Sequence, residues 1–264
     1  MKRFLLPSPP NPEGIIWLSG KDYHYLVRVR RLKAGQGFDA ALPDGKETQV
    51  HILSTADNIL VGKCHEGTEK QTHMCCLPPL ALFQGLAKGG KMDLIVRQAA
   101  ESGVSIIAPF ESGHSAARLN KPSIEKKNEK VKRWERIVRE ARQQSGSAIE
   151  TKVLPPCSFE ALLEYWDSLK KTYKRPLGLL LHQAPLAKGS FHDYLGINPD
   201  LVALAIGPEG GFSPGEVSQF LEKGWKPLEI SYTVLRTETA ALYGTAAIRT
   251  ILLEKETWAP GLKE

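Results

Sequence analysis

The chain has 264 residues, of which 42% are hydrophobic and 24% charged, and it carries a net charge of +6 at pH 7. That length can bury a large core and predicts two domains, while the apolar content excludes an intrinsically disordered chain. The moderate positive charge favours an anionic partner such as nucleic acid. No apolar run approaches the roughly twenty residues of a membrane span, so we expect no membrane partner.

The N-terminal stretch, Met1 to Pro7, has a basic start but too few apolar residues for a signal peptide. The four cysteines, Cys64, Cys75, Cys76 and Cys157, show no C-x-x-C spacing. Their spacing argues against a zinc site and against a disulfide framework. We therefore expect reduced cysteines and a cytoplasmic protein.

Residues 1–72 are predicted to form short strands separated by glycine and proline. A turn at Pro43-Asp44-Gly45 indicates a hairpin between two of them. The predicted strands are Gly14–Leu18, Gly37–Leu42, Thr48–Leu53 and Ile59–Gly62. Short strands joined by turns indicate a small β-barrel of the kind found in RNA-binding modules, and a polar linker from Glu66 to Thr72 follows it.

Basic and apolar residues interleave between the first two of these strands. As a helix or an exposed strand, this stretch would present Arg28, Arg30 and Arg31 to phosphate groups. The alternative is a charged face that only contacts solvent.

From residue 73 onward, strands and helices alternate, which predicts an α/β domain with a mainly parallel sheet. The longest predicted helix, Ile124–Ser145, carries a basic stripe of Lys132, Arg136 and Arg139 with Arg142 nearby. Such a stripe is either solvated helix surface or a track for an RNA backbone. The other predicted elements are strands at 80–83, 104–109, 177–181, 201–206 and 228–230, and helices at 92–103, 159–169, 214–223 and 239–254.

The turn Gly207–Phe212 contains three glycines in five residues. It follows a buried apolar segment, Leu201–Ile206, and precedes a capping box in which Ser213 and Glu216 begin a helix. Ligands of open α/β sheets bind at such strand-to-helix turns, where glycines let backbone N–H groups approach them closely. The alternative is an ordinary tight turn.

Arg236 and Glu238 lie in a second unusual stretch, between a predicted strand end and the final helix. Charged pairs are seldom needed for folding there, so both are candidates for ligand contact, with a structural salt bridge as the alternative. The final helix, Thr239–Glu254, has small residues on nearly every side, which predicts close packing within the domain or against another subunit. We favour another subunit, and therefore a homodimer.

Together, these two stretches resemble a known family. I-G-P-E-G-G-F-S at Ile206–Ser213, with L-R-T-E-T-A at Leu235–Ala240, is similar to the paired motifs of the RsmE family. That family comprises ribosomal RNA uridine N3-methyltransferases of the SPOUT superfamily. Shorter matches occur in the same order at Gly90–Met92, Glu101–Val104 and Gln143–Gly146, so the resemblance covers almost the whole chain.

The resemblance implies a fold and a cofactor. Residues 73–264 would form a SPOUT-type α/β catalytic domain with a trefoil knot, and residues 1–72 a PUA-like β-barrel. The cofactor would be S-adenosylmethionine, with S-adenosylhomocysteine as the product and no metal. The implied cofactor-binding residues lie in three loops: Leu181, His182, Ile206, Gly207, Pro208, Glu209, Gly210, Gly211, Ile230, Ser231, Val234, Leu235, Arg236 and Thr239.

The implied substrate is a uridine of small-subunit (16S) ribosomal RNA in an assembled or nearly assembled subunit. The candidate RNA contacts are basic residues of both predicted domains: Arg28, Arg30, Arg31, Lys88, Lys91, Arg136, Arg139 and Arg142. Three positions depart from the family's pattern. Ser231 and Thr233 stand in place of a glycine and an arginine, and Ser147 stands where the family tends to have arginine. The glycine change affects cofactor fit, and the two lost arginines affect RNA contacts.

Methylation of N3 requires loss of its proton, which leaves negative charge on the flanking carbonyl oxygens. Arg236 is the candidate for binding that charge, because a guanidinium can do so in bidentate fashion. Glu238 either accepts the proton or orients Arg236, and His182 is a third candidate.

Two other functional classes stay open: a nucleotide-phosphate-binding protein that uses Gly207–Gly211, and an inactive RNA-binding protein of the same fold. The turn lacks both the lysine of G-x-x-x-x-G-K-[ST] and the full G-x-G-x-x-G spacing, which argues against the first.

Overall fold

A computed structural model describes residues 4–44, 46–66, 77–115, 124–147, 149–182, 189–229 and 233–258. The chain divides into two compact units. The first comprises Met1–Thr72 with Arg142–Glu150, and the second comprises His73–Ala141 with Thr151–Glu264. In the part of the chain described, no helix is long and apolar enough to cross a membrane.

The first unit is built on a five-stranded sheet with the order β1-β3-β4-β5-β2. All of its pairings are antiparallel except the parallel pair β1 and β3. The strands are β1 (Phe4–Leu5), β2 (Ile15–Leu18), β3 (Gly37–Ala41), β4 (Glu47–Ser54) and β5 (Leu60–Glu66). The sheet therefore confirms the predicted short strands of this region, and it adds the short strand β1.

Burial alternates along the strands of this sheet. In β4, Thr48, Val50 and Ile52 are buried, whereas the residues between them face solvent. This is the period of two expected when one face of a sheet covers a core. Helix α1 (Gly20–Tyr23) and a π-helical turn, His24–Val29, contribute to that core.

The second unit has a sheet with the order β12-β10-β11-β6-β7-β8, in which every pairing is parallel, and β9 also pairs with β7. The strands are β6 (Leu80–Gly85), β7 (Ile106–Glu111), β8 (Lys152–Val153), β9 (Cys157–Ser158), β10 (Pro176–Leu181), β11 (Leu201–Ile206) and β12 (Lys226–Leu228). The helices are α2 (Lys91–Glu101), α3 (Ile124–Ser145), α4 (Phe159–Thr172), α5 (Phe191–Leu195), α6 (Pro214–Glu222) and α7 (Thr237–Trp258). The predicted α/β alternation is confirmed, and α5 and the short strands β8 and β9 are additions.

The central strands are buried on both faces, which explains why they are continuous apolar runs. In β6, Leu80 and Leu82 belong to one core cluster, whereas Ala81 and Phe83 belong to the cluster on the opposite face. All six residues of β11 are likewise buried. Helices must therefore cover both faces, and the parallel strands end at one common edge.

Helix α7 packs its small residues against its own domain. A Cβ atom added to Gly244 would lie 2.8 Å from Leu204 Cδ2 of strand β11. The expectation that this small-residue surface meets another subunit is therefore wrong for Gly244, because the close approach is to the sheet. The opposite face of α7 is exposed and includes Leu242, Tyr243 and Leu253.

Candidate functional site

A cleft of about 490 Å³ lies in the second unit at the carboxyl edge of the parallel sheet. The ends of β10, β11 and β12 meet there with the first residues of α2 and α7. The lining residues are Lys91, Leu181, His182, Ile206, Gly207, Pro208, Glu209, Gly210, Gly211, Phe212, Glu229, Thr233, Val234, Leu235, Arg236, Thr237 and Ala240. The structure thus brings together eleven of the fourteen residues predicted to bind cofactor, which come from all three predicted loops.

The remaining three residues do not join this lining. Thr239 is exposed on the first turn of α7. Ile230 and Ser231 lie outside the described residues, as does Gln183 at the end of the first loop.

The turn after β11 is held by close backbone packing. Gly211 has φ of +70°, and its N–H donates to the carbonyl of Pro208 at 2.9 Å. A Cβ on Gly210 would lie 2.9 Å from the Cβ of His114, so that position accepts only glycine without a shift. The turn therefore requires glycine at both Gly210 and Gly211.

The predicted capping box after this turn is present. The hydroxyl of Ser213 accepts a hydrogen bond from the N–H of Glu216, and the Glu216 carboxylate accepts one from the N–H of Ser213. The same carboxylate accepts hydrogen bonds from the Ser112 hydroxyl at 3.1 Å and from the Gly113 N–H at 2.9 Å. One buried side chain therefore fixes the start of α6 and the loop after β7 together.

A second set of hydrogen bonds joins the turn to helix α7. Thr237 Oγ1 donates to the Gly207 carbonyl at 2.7 Å, and it accepts from Gln84 Nε2 at 2.9 Å. Gln84 is fully buried at the end of β6. Sequence reasoning missed both Thr237 and Gln84, since no local pattern links residues 153 positions apart.

Lys91 also binds the turn. Its Nζ lies 2.8 Å from Glu209 Oε1, and the N–H of Lys88 donates to the same oxygen at 3.1 Å. Burial raises the pKa of the Glu209 carboxyl, but the hydrogen bonds from Lys91 and from backbone N–H groups outweigh this, so its pKa lies below the ordinary value. Lys91 was predicted as an RNA contact, and the structure places it in the cleft.

Arg236 and Glu238 occupy different environments. Arg236 is exposed and lines the cleft, whereas the side chain of Glu238 is only 15% exposed. In the described part of the chain, no ion pair joins these two residues. The charged neighbour of Glu238 is Lys91, whose Nζ lies 3.9 Å from Glu238 Oε2.

His182 follows β10 and lies half-buried in the cleft wall. Its backbone N–H donates to the Leu228 carbonyl at 3.2 Å, which joins the ends of β10 and β12. Burial lowers the pKa of the imidazole. A histidine that favours the neutral form is suited to contacting an uncharged part of a ligand.

Most of the predicted RNA contacts are surface residues. Within the first unit, Arg28 and Arg31 are exposed and Arg30 is half-buried; within the second, Lys88, Arg136 and Arg139 are exposed. These observations leave the six as predictions.

Arg142 does not share that exposure, and its place in the set was wrong. It is only 6% exposed, and its guanidinium donates to the Pro43 carbonyl at 3.5 Å. Burial lowers its pKa, since desolvation disfavours the charged form. Ser147, where the family tends to have arginine, is also buried at 8% exposure.

No group of three or more His, Cys, Asp or Glu side chains with metal-binding geometry occurs among the residues that the structure describes. The cleft instead offers backbone groups, glycines and a few charged side chains. Such a lining suits an organic cofactor.

Comparison with known proteins identifies the two units. Residues 75–249 match the RNA methyltransferase domain family, and residues 18–63 match the RNA methyltransferase PUA domain family. The chain is 30% identical over 240 residues to "Ribosomal RNA small subunit methyltransferase E 2" of Borreliella burgdorferi, which covers 90% of this chain and 92% of that protein. This chain belongs to the RsmE family.

Other proteins match this chain with similar extent. A Bacillus subtilis ribosomal RNA small subunit methyltransferase E is 26% identical over 88% of each chain. The structure of a methyltransferase from Legionella pneumophila with bound SAM superposes with a TM-score of 0.73 at 26% identity, covering 94% of this chain and 97% of that one. The Neisseria gonorrhoeae family member bound to S-adenosyl methionine shares the fold, with a TM-score of 0.75 at 22% identity over 95% and 98% of the two chains. The predicted family is confirmed, while the SPOUT superfamily and the trefoil knot stay predictions.

Proposed function

We propose that this protein transfers a methyl group from S-adenosylmethionine to N3 of a uridine in small-subunit ribosomal RNA. The observation that carries the proposal is the convergence of three strand-end loops on one cleft, with Arg236 exposed in its wall. Family membership supports the reaction class, since relatives carry the name of a small-subunit ribosomal RNA methyltransferase.

The cleft fits the proposed cofactor. Its volume of about 490 Å³ lies within the roughly 300–1,000 Å³ range of small-molecule sites. A Cβ on Gly207 would lie 3.1 Å from the Gly211 carbonyl carbon and fill part of the turn. The backbone of Gly207–Gly211 and the half-buried Leu181 and His182 would hold the adenosine and methionine ends. When bound, S-adenosylmethionine supplies an electrophilic methyl group on a sulfonium.

The residues of this chain provide the remaining chemistry. The N3 proton of uridine passes to Glu238, directly or through water, and the charge that remains spreads over N3 and two carbonyl oxygens. The guanidinium of Arg236 stabilises that planar anion through its fork of donors. The N3 anion would then accept the methyl group of S-adenosylmethionine, which would leave as S-adenosylhomocysteine, and Glu238 would return its proton to solvent.

Access to N3 requires an unpaired base, because that edge is buried in a Watson–Crick pair. The exposed arginines of the PUA domain and of helix α3 would bind the phosphates of folded RNA while one nucleotide enters the cleft. The substrate would be an assembled or nearly assembled subunit, and the place of action would be the cytoplasm.

The proposed enzyme is a homodimer that uses the exposed face of α7. Leu242, Tyr243 and Leu253 are 37%, 53% and 40% exposed there, and such apolar residues on one helix face suit a subunit interface. The Tyr243→Glu variant should have the sedimentation coefficient of a monomer, which is lower than the coefficient of the dimeric wild-type protein. An unchanged coefficient would place the interface elsewhere or show that the chain acts as a monomer.

The decisive experiment is nucleoside digestion and mass spectrometry of ribosomal RNA from cells with and without the protein. We expect one missing methyl group, on the uracil ring of a single nucleotide. A methyl on the ribose, or no missing methyl, would contradict the proposal. Calorimetry should show binding of S-adenosylhomocysteine, and binding of ATP alone would indicate a nucleotide-phosphate site instead.

A further inference from the structure

The segment after β7, Ser112–Ser115, lies against the turn Gly207–Phe212. The ring of His114 is exposed, and its Nδ1 lies 3.2 Å from the carbonyl oxygen of Gly210. A Cβ added to Gly210 would lie 2.9 Å from the Cβ of His114 and 3.1 Å from its backbone oxygen. His114 therefore contacts the turn both through a hydrogen bond and through close packing.

The direction of this hydrogen bond fixes one proton of the imidazole. A carbonyl oxygen only accepts hydrogen bonds, so Nδ1 of His114 must carry the hydrogen and donate it. The neutral Nδ1–H tautomer and the charged imidazolium both supply this donor, so the bond does not depend on the charge of the ring. His114 thus acts on the turn through one atom of its ring.

The backbone is anchored on both sides of His114. Before it, the Gly113 N–H and the Ser112 hydroxyl donate to the buried carboxylate of Glu216 at 2.9 Å and 3.1 Å. After it, the hydroxyl of the buried Ser115 accepts from the Ser112 N–H at 3.0 Å, and the Ser115 N–H donates to the Ser112 carbonyl at 2.9 Å. Because this backbone is already ordered, the bond to the turn requires only that the side chain of His114 be fixed.

The group that His114 holds is the peptide between Gly210 and Gly211. Its carbonyl accepts from His114, and its N–H, which belongs to Gly211, donates to the Pro208 carbonyl at 2.9 Å. A peptide between two glycines rotates easily, since neither residue has a Cβ that restricts φ and ψ. Hydrogen bonds at both ends limit this rotation, and His114 supplies one of them.

We infer that His114 is a positioning residue for the cofactor: by holding the Gly210 carbonyl, it keeps the turn in the conformation that binds S-adenosylmethionine. Gly210 and Gly211 line the cleft, whereas His114 is not among the lining residues, so it acts through the turn. The inference rests on the proposed function, which assigns the cofactor to this cleft. Without the bond, cofactor binding would have to restore the orientation of the peptide, which lowers the apparent affinity.

The competing role for His114 is a direct contact with the RNA, since the ring is exposed. The two roles predict different losses. A positioning role predicts weaker binding of S-adenosylhomocysteine even when no RNA is present. An RNA contact predicts a higher KM for ribosomal subunits with unchanged affinity for S-adenosylhomocysteine.

The test measures binding of S-adenosylhomocysteine to the full-length protein by calorimetry, without RNA. His114→Ala should weaken binding about five-fold, as expected for the loss of one hydrogen bond. His114→Asn can place an amide N–H near the position of Nδ1 and should bind nearly as tightly as the wild type. His114→Gln places its amide near the position of Nε2 and should bind as weakly as His114→Ala.

His192→Ala is the matched control, because it removes another exposed histidine of the same unit, on helix α5. It should leave the affinity for S-adenosylhomocysteine unchanged.

Methyl transfer to small ribosomal subunits gives a second measurement. In His114→Ala, the KM for S-adenosylmethionine should rise about five-fold, while kcat at saturating cofactor and the KM for subunits stay close to those of the wild type. The inference would be overturned by full affinity in His114→Ala, by equal losses in His114→Ala and His114→Asn, or by a defect confined to the KM for subunits. Failure of the proposed function would be seen separately in the wild-type protein, as absence of S-adenosylhomocysteine binding or of a methyl group on uracil.

Discussion

The turn after β11 and the segment after β12 both line the cleft, yet the protein holds them in different ways. The first is fixed by its own hydrogen bonds, by Thr237, by Lys91, and by Phe212, whose ring stacks on Phe110 at 6.3 Å. In the second, Val234 is 75% exposed and Arg236 is also exposed. We interpret the first, the turn Gly207–Phe212, as a rigid cradle for a cofactor that is always needed. We interpret the second as a surface that an RNA base completes.

The largest expected effect comes from the exposed segment. Arg236→Ala should lower kcat by about 10²–10³, the range seen when one donor to a developing anion is removed. Affinity for S-adenosylhomocysteine, measured by calorimetry, should change by no more than a few-fold, because the cradle is intact.

Arg236→Lys provides the control, since it keeps the charge but loses the planar fork of donors. It should recover only part of the activity. If Arg236→Ala retains its turnover, another group stabilises the anion, and the contrast between the two segments has no catalytic meaning.

The rigidity of the cradle is tested at Gly85, on the strand beside it. A Cβ at this position would lie 2.6 Å from both the N and the Cδ of Pro208. Gly85→Ala should therefore displace the turn, with a stability loss of about 1–3 kcal/mol and weaker binding of S-adenosylhomocysteine. Urea unfolding and calorimetry measure the two effects.

Gly90→Ala is the matched substitution, because a Cβ there meets nothing within 4 Å and the residue does not have positive φ. It should leave stability and cofactor affinity close to those of the wild type. Equal behaviour of the two variants would mean that the turn adjusts freely and is not rigid.

The sequence predicted those parts of this site that depend on short-range chemistry. The capping box at Ser213 and Glu216 and the end of β11 were identified because the signals lie within a few residues of each other. The pairing of Gln84 with Thr237 was not, since only the folded sheet brings the end of β6 and the start of α7 together. Arg142 failed for a related reason: helical periodicity placed it beside a basic stripe, but the segment from Arg142 to Glu150 belongs to the first compact unit.

A smaller effect is expected where the two segments are joined. Thr237→Val removes the donor to the Gly207 carbonyl and the acceptor for Gln84 Nε2. Loss of such hydrogen bonds costs roughly 1 kcal/mol, which corresponds to about five-fold weaker binding of S-adenosylhomocysteine in calorimetry. Thr237→Ser keeps the hydroxyl and should bind normally; a defect of equal size in both variants would show that loss of the hydroxyl alone does not explain the effect.

The smallest effect concerns the charge of the Glu209 carboxylate, which forms an ion pair with Lys91 of helix α2. The pKa of Glu209 is lowered from 4.5 in the folded protein, so its ionised form stabilises the fold above that ordinary value. This stabilisation should disappear as pH falls through the lowered folded pKa, and it should not change as pH rises from about 5 to 8.

Because Glu209 and Lys91 are both partly exposed, we expect this charge to contribute less than about 1 kcal/mol to the free energy of unfolding. Urea unfolding of wild type and Glu209→Gln should therefore differ slightly at neutral pH and converge as pH falls through the lowered folded pKa of Glu209. A difference that persists or grows in acid would show that the carboxylate acts through packing or hydrogen bonding and not through its charge.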